Sequence, residues 1–174
     1  MRKILLILVI CCLWTNLFAQ FESDACTSIL VSKGASVDGS VMITYACDAE
    51  FLSNMRYIPV QDHEASAFVE IRKRNGETYK IKQVPHTFAV VGNINEHQVA
   101  IGETTTSGRR ELVNPDGLLG YGMLMELMLQ RAKTAREGIK IIVDLVEEYG
   151  YSSSMEGFSI ADPNEAWFME IICR

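Results

Sequence analysis

The sequence contains no run of basic residues and few histidines, and both shortages exclude classes of function. The formal net charge is −6, and an acidic chain without a basic patch is a poor candidate for binding nucleic acid. The three histidines are His63, His86 and His97. Their surroundings match neither the spacing of a metal site nor a cysteine–histidine catalytic pair. We therefore expect no nucleic-acid partner, no metal ion and no cofactor.

A long hydrophobic run is also missing. The longest apolar stretch, residues 4–14, is shorter than the roughly 20 residues that a transmembrane helix needs. It follows Arg2 and Lys3, and a short positive segment before such a stretch is typical of a secretory leader. We expect residues 1–25 to be a leader and residues 26–174 to be an exported domain, periplasmic or extracellular, without stable membrane insertion.

The residues before Cys26 indicate where the leader is removed. Signal peptidase requires small residues three positions before and directly before the cut, and Ser23 and Ala25 predict cleavage immediately before Cys26. Cleavage after Ala19, followed by removal of a short pro-segment, is the alternative. A lipid-modified Cys26 is a less favoured alternative, because the residues before it match a lipobox poorly.

Few cysteines remain once the leader is gone: Cys26, Cys47 and Cys173. An odd number of cysteines in an exported protein leaves at least one thiol free, and three are too few for a disulfide scaffold. We expect a free Cys26, whereas Cys47 is either buried as a thiol or paired with Cys173.

The chain shows no internal repeat and changes its hydrophobic period once. A β-rich part precedes a Leu- and Met-rich helix at 118–132 and a second helix, which a capping box at Thr134 and Glu137 opens and Gly150 ends. This order predicts an α+β fold with a sheet packed against helices. The last strand runs almost to Arg174, so we expect the sheet to be incomplete in this chain. The predicted strands are 27–32, 41–46, 67–72, 78–83, 87–91, 98–101, 157–161 and 166–172.

Cysteine as a first residue has its own catalytic chemistry. A thiol has a pKa of about 8.5, and a free α-amine has a pKa of about 7.7 to 8.0. The amine of Cys26 can therefore take the thiol proton and return it to a leaving group, without a histidine. Asp48 ends the second strand of the predicted first hairpin and is a candidate for orienting that amine. The competing interpretation is a solvated aspartate at a strand end.

Several separate motifs, in the right order, resemble one family. The run CTSILVSKGASVDGS at 26–40 is similar to the mature start of the C69 family of dipeptidases. The segments 91–96, 101–105, 130–137 and 160–167 resemble the same family. Its members are N-terminal nucleophile hydrolases, related to choloylglycine hydrolase and penicillin V acylase. The resemblance extends over nearly all of the chain after the leader.

This resemblance implies a fold and a set of site residues. The fold is a four-layer αββα sandwich, Cys26 is the nucleophile with its own amine as base, and Asp48 matches the family's aspartate. Asn95 falls where related acylases have an oxyanion-hole asparagine, although it also fits a turn between two strands. Many relatives carry an arginine at the position of Tyr45. A phenol can donate a hydrogen bond there or simply pack, but it carries no permanent charge.

The resemblance also implies a function. We expect an exported cysteine dipeptidase that cleaves small peptides through an acyl-enzyme on Cys26. An acylase acting on a non-peptide amide is an alternative with the same chemistry. Because family members continue well beyond Ile172, a catalytically inactive remnant or binding module is the alternative from a different functional class.

Overall fold

The computed structural model describes residues 26–47, 55–73, 75–106 and 108–172, and within these ranges it is a mixed α+β structure. Helices α1 (Tyr121–Leu129) and α2 (Ala135–Tyr149) follow a short 3₁₀ turn at Arg110–Leu112. The strands are β1 (Cys26–Val31), β2 (Met42–Cys47), β3 (Tyr57–Ile58), β4 (Gln61–Asp62), β5 (Phe68–Arg72), β6 (Thr78–Lys82), β7 (His86–Thr87), β8 (Val90–Val91), β9 (Ile94–Asn95), β10 (Ala100–Thr105), β11 (Glu156–Ala161) and β12 (Ala166–Ile171).

The largest sheet is antiparallel and has the strand order β12-β11-β10-β9-β8-β3. Strand β11 is buried along its whole length, because it lies between two long neighbours and is covered on both faces. Strands β1 and β2 form a separate hairpin. Its turn contains Asp38-Gly39, a dipeptide typical of turns: Gly39 adopts a φ of 75°, and Asp38 accepts a hydrogen bond from the amide of Ser40.

Helix α2 begins as its sequence predicts. The side chain of Thr134 accepts a hydrogen bond from the amide of Glu137, and Gly150 follows the helix with a φ of 73°. A second acceptor comes from the β11–β12 turn, where Asp162 Oδ2 lies 2.8 Å from the amide nitrogen of Ala135. A carboxylate at a helix N-terminus is favourable because the first amide groups have no intrahelical acceptor. This contact fixes the helix to the sheet.

Helix α1 is apolar around most of its circumference and lies in the core. Buried side chains of both helices pack with the sheet in one cluster, whose members include Leu124, Met128, Ile142, Ile101 and Phe158. Burial of a large aliphatic or aromatic side chain contributes about 1.5–3 kcal/mol. The cluster therefore holds the helices on one face of the sheet.

The β1–β2 hairpin covers the opposite face. Ile101 lies in the core beside the helices, so the next residue along β10, Gly102, faces the other way. A Cβ atom at Gly102 would lie 3.0 Å from Cβ of Tyr45 and 3.3 Å from Oγ of Ser28. Glycine therefore lets the hairpin approach the strand closely. The described residues form three layers: helices, sheet and hairpin.

Most of the predicted helices and strands are confirmed. The differences occur where backbone conformation or backbone hydrogen bonding departs from a regular strand. The predicted strand 87–91 is divided into β7 and β8, because the amide of Phe88 donates to the carbonyl of Gln130 instead of a strand. The strand predicted at 98–101 begins at Ala100, since Gln98 has a φ of 63°. Two short strands, β3 and β4, lie between the predicted strands 41–46 and 67–72, where no strand was predicted.

Candidate active site

Cys26 and Cys47 stand at the open end of the β1–β2 hairpin. Cys26 begins β1 and is the register partner of Cys47, which ends β2. Both are free thiols, and their sulfur atoms lie 3.4 Å apart. Asp48 comes next in the sequence but lies outside the described residues, as does Cys173. The predicted pairing of Cys47 with Cys173 therefore stays a prediction.

A buried carboxyl group contacts the Cys26 thiol. Cys26 Sγ lies 3.1 Å from Glu103 Oε1, and the hydroxyl of Tyr45 donates to the same oxygen over 2.6 Å. The Tyr45 hydroxyl is also 3.9 Å from the sulfur. Glu103 is only 1% exposed.

The groups around Cys26 favour the protonated form of its thiol. Burial, followed by hydrogen bonding to Glu103 and Cys47, raises the pKa of Cys26 to about 12. Burial and the bond to Glu103 also raise the pKa of Tyr45 above its ordinary value. Because only a thiolate is a strong nucleophile, the thiol needs a base that removes its proton during attack.

A cavity of about 670 Å³ opens beside Tyr45. Arg56 and Glu126 form an ion pair in its wall. Most of the other side chains that line it are apolar: Met55, Ile58, Val90, Met125 and Leu129. Cavities of this size accept small organic ligands. Tyr45 links this cavity to the candidate nucleophile, because its side chain lines the cavity and its hydroxyl is 3.9 Å from the Cys26 sulfur.

Comparison with known proteins identifies the family. Residues 58–173 match the sequence profile of peptidase family C69. This chain belongs to peptidase family C69. A probable dipeptidase of Latilactobacillus sakei is 31% identical over 175 residues, which cover 88% of this chain and 36% of the relative. A probable dipeptidase B of Lactococcus lactis is 30% identical over 169 residues, 87% of this chain and 35% of the relative.

Dipeptidase A of Lactobacillus helveticus is a further relative, 28% identical over 174 residues, 87% of this chain and 36% of the relative. This chain thus spans about a third of the length of the curated relatives that it matches. No solved structure matches it. The resemblance to C69 dipeptidases that the motifs predict is confirmed.

Asn95 has a well-defined structural environment in this C69 chain. Its amide nitrogen donates to the carbonyl oxygens of Leu129 and Ala132, each over 2.7 Å. Its side-chain oxygen accepts from the amides of His97 and Val99, each over 3.0 Å. All the hydrogen-bonding capacity of this buried side chain is therefore used within the protein. A role in an oxyanion hole stays a prediction.

The three histidines make contacts away from the thiol. His63 hydrogen-bonds to the hydroxyl of Thr87, His86 pairs with Asp62, and His97 packs edge-on against Phe88. Within the described ranges, no three His, Cys, Asp or Glu side chains group closely enough to hold a metal ion. The part of the chain that the structure describes also has no helix long and apolar enough to span a membrane.

Sequence reasoning overlooked Glu103. It lies inside one of the C69-like segments, 101–105, yet nothing there marks it as a contact of Cys26. The available signal was a glutamate that follows Gly102, two residues beyond the predicted strand 98–101. A buried carboxyl is rare without partners, so such a residue predicts a polar contact but not its identity.

Proposed function

We propose that this chain carries the nucleophile of an exported cysteine dipeptidase, which hydrolyses amide bonds of small peptides through an acyl-enzyme on Cys26. The observation that carries the proposal is the position of Cys26 at the start of β1, with its sulfur 3.1 Å from a buried carboxyl and next to Tyr45, which lines a cavity. Membership of family C69 and the dipeptidase names of the relatives support the same activity.

The proposed reaction uses Cys26 as both nucleophile and base. Removal of the leader frees its α-amine, which takes the proton from Sγ while the sulfur bonds to the peptide carbonyl carbon. The resulting ammonium gives the proton to the nitrogen of the leaving amine as the C–N bond breaks. Water then adds to the thioester, releases the acid and restores the thiol of Cys26. A raised thiol pKa makes a nearby base necessary.

Three further residues have proposed roles in this scheme. Asp48 orients the α-amine, because β2 ends at Cys47 opposite Cys26 and Asp48 follows directly. Tyr45 donates a hydrogen bond near the sulfur in place of an arginine charge. Asn95 contributes to the oxyanion hole, a role that requires one of its amide hydrogens to leave a backbone carbonyl. The complete site belongs to a four-layer αββα sandwich, of which residues 26–174 form a part.

The decisive experiment compares two forms of the N-terminus. Terminal sequencing and intact mass of the exported protein establish whether it begins at Cys26 with a free amine. Dipeptide hydrolysis is then measured on that form and on the same chain with Ala25 retained. We expect hydrolysis only with the free amine, because an amide nitrogen cannot accept the thiol proton.

Matched cysteine variants separate the nucleophile from its neighbour. Cys26→Ala is expected to abolish hydrolysis, whereas Cys47→Ser should keep it, since serine preserves the size and polarity of the side chain opposite. Equal hydrolysis by the Ala25-retaining form, or by Cys26→Ala, would exclude the proposed mechanism. Lack of hydrolysis by every form, with Cys26 correctly exposed, would favour the inactive remnant instead.

A further inference from the structure

Two buried glutamates lie side by side in the main sheet. Glu103 on β10 and Glu156 on β11 are each 1% exposed. In the register of the two strands Glu156 pairs with Thr105, two residues beyond Glu103, so both glutamates project from the same face of the sheet. Two neighbouring carboxylates that are both buried repel each other and lack water, so ionising both is strongly unfavourable. The pair must therefore hold a proton.

The proton resides on Glu156. Burial, and then hydrogen bonding to and repulsion by Glu103, raise the pKa of Glu156 to about 9. Its Oε1 atom is buried and has no hydrogen-bond donor among the described residues, as expected for a neutral acid. Burial acts to raise the pKa of Glu103 also, but hydrogen bonds from Glu156, Tyr45, Cys26 and Thr105 outweigh it and hold that pKa below its usual range. Glu103 is therefore the charged member.

Every oxygen of Glu103 is occupied by a donor from the protein. Oε1 accepts from the Tyr45 hydroxyl and the Cys26 thiol, and Oε2 lies 3.4 Å from Oγ1 of Thr105. Because this carboxylate is buried and both of its oxygens already contact donors of the protein, it is a poor acceptor for the ammonium group of a substrate. The group on which Glu103 can act is therefore the Cys26 thiol, which it contacts.

We propose that Glu103 is a positioning residue for the nucleophile: its carboxylate, held by Glu156 and Tyr45, fixes the Cys26 thiol in one orientation and keeps the proton on the sulfur. This inference rests on the proposed function, because it assigns the contact to a working nucleophile. A thiol donates a hydrogen bond only while it is protonated, so the anionic acceptor favours that form. The proton leaves when the amine of Cys26 takes it.

The test measures how fast iodoacetamide alkylates Cys26 between pH 6 and pH 10, resolved by peptide mass mapping. Two isosteric changes form a matched pair: Glu103→Gln removes the charged member, and Glu156→Gln replaces the neutral member. We expect Glu103→Gln to accelerate alkylation at pH 8 by at least about threefold, because each unit of thiol pKa changes the thiolate fraction tenfold while thiolate nucleophilicity falls less steeply. Glu156→Gln should change the rate by less than about twofold, since its amide still donates to Glu103.

A purely structural role would loosen the site equally in both variants, and equal acceleration would overturn the proposal. An unchanged rate in Glu103→Gln would overturn it as well. Tyr45→Phe supplies an independent test if Glu103→Gln does not fold. It removes the Tyr45 hydroxyl, which donates to Glu103 Oε1 and also lies near the Cys26 sulfur. The contact of this hydroxyl with the sulfur lowers the pKa of Cys26. We expect slower alkylation, and an equal or faster rate would contradict the assignment.

Dipeptide hydrolysis, measured on the same samples, separates this inference from the proposed function. Alkylation of Cys26 requires no peptide substrate. If the alkylation rates follow the expected pattern but no dipeptide is hydrolysed, the positioning role of Glu103 is supported and the proposed dipeptidase activity is rejected. Hydrolysis that depends on Cys26 with no response of alkylation to Glu103→Gln would retain the dipeptidase and reject the positioning role.

Discussion

Cys26 and Cys47 face each other directly across the β1–β2 hairpin, and their sulfur atoms are 3.4 Å apart. Residues opposite each other in antiparallel strands have Cα separations of about 4.5 to 5.5 Å, which lie within the range of about 4.4 to 6.8 Å found for disulfides. The candidate nucleophile therefore has a second thiol within reach, and small side-chain rotations would join the two sulfurs.

This relationship predicts sensitivity to oxidation. Oxidised glutathione should convert the two thiols into a Cys26–Cys47 disulfide and release two molecules of reduced glutathione. The measurement is intact mass, which should fall by two hydrogen atoms, together with loss of iodoacetamide labelling at Cys26. Cys47→Ser should prevent that loss of mass. A stable mixed disulfide with glutathione on Cys26 of the unmodified chain would contradict the prediction.

The buried acid Glu156 predicts how stability depends on pH. Its pKa of about 9 in the folded protein exceeds the value of about 4.3 expected when unfolded. Between these values the folded state binds more protons than the unfolded state, so the contribution of Glu156 to the free energy of unfolding falls as pH rises. The Glu156→Gln variant lacks this titrating group. Between pH 5 and pH 8 its free energy of unfolding should therefore fall less than that of the unmodified chain.

Urea denaturation at several pH values tests this sign. Glu170→Gln, on the neighbouring strand β12, is the matched control, because it makes the same substitution at an exposed position. A change in the pH dependence of stability that both variants share would not be specific to the buried acid. Identical slopes for Glu156→Gln and the unmodified chain would show that the buried acid does not titrate in this range.

Local signals in the sequence accounted for much of the fold. The turn at Asp38-Gly39 and the capping box at Thr134 were predictable because each depends on neighbours a few residues away. The C69-like motifs likewise identified the family. Strands β3 and β4 were missed since each has only two residues, which is too short to show a period of two.

The contacts of the site could not be predicted in the same way. Glu103 is 77 residues from Cys26 and 58 residues from Tyr45 in the sequence. The three side chains meet because the hairpin packs over Gly102. Packing between elements that are distant in the sequence produces no periodic pattern of residues from which it could be predicted. For the same reason the sequence predicted Asn95 at a turn, but not the hydrogen bonds that it makes to Leu129 at the end of α1 and to Ala132 just after it.

The close approach at Gly102 predicts a packing defect when a methyl group is added. Gly102→Ala places Cβ 3.0 Å from Cβ of Tyr45, so the hairpin must move away from β10. Overpacking of this kind costs about 1 to 3 kcal/mol of unfolding free energy. Thermal or urea unfolding measures the loss. Gly34→Ala, in the hairpin turn with nothing within 4 Å of a Cβ, should change stability by less than about 0.5 kcal/mol.

The buried hydrogen bonds of Asn95 predict a large loss of stability when its side-chain amide is replaced by a carboxylate. Asn95→Asp keeps the acceptor for the amides of His97 and Val99 but loses both donors to Leu129 and Ala132. A carboxylate would face two carbonyl oxygens in a buried site, and an uncompensated buried charge costs about 3 to 5 kcal/mol. Protonation would restore one donor at most, so we expect the loss of stability to be smaller at pH 5 than at pH 8.

The same substitution at the surface is the control. Asn164 is exposed, and its side-chain oxygen accepts a hydrogen bond from Lys33 over 3.0 Å. Asn164→Asp should therefore be neutral or slightly stabilising, within about 0.5 kcal/mol. Urea unfolding of both variants isolates the effect of burial from that of the added charge. If Asn95→Asp were equally well tolerated, its four hydrogen bonds would not hold the β9 turn to the end of α1, and its amide would be available to a substrate.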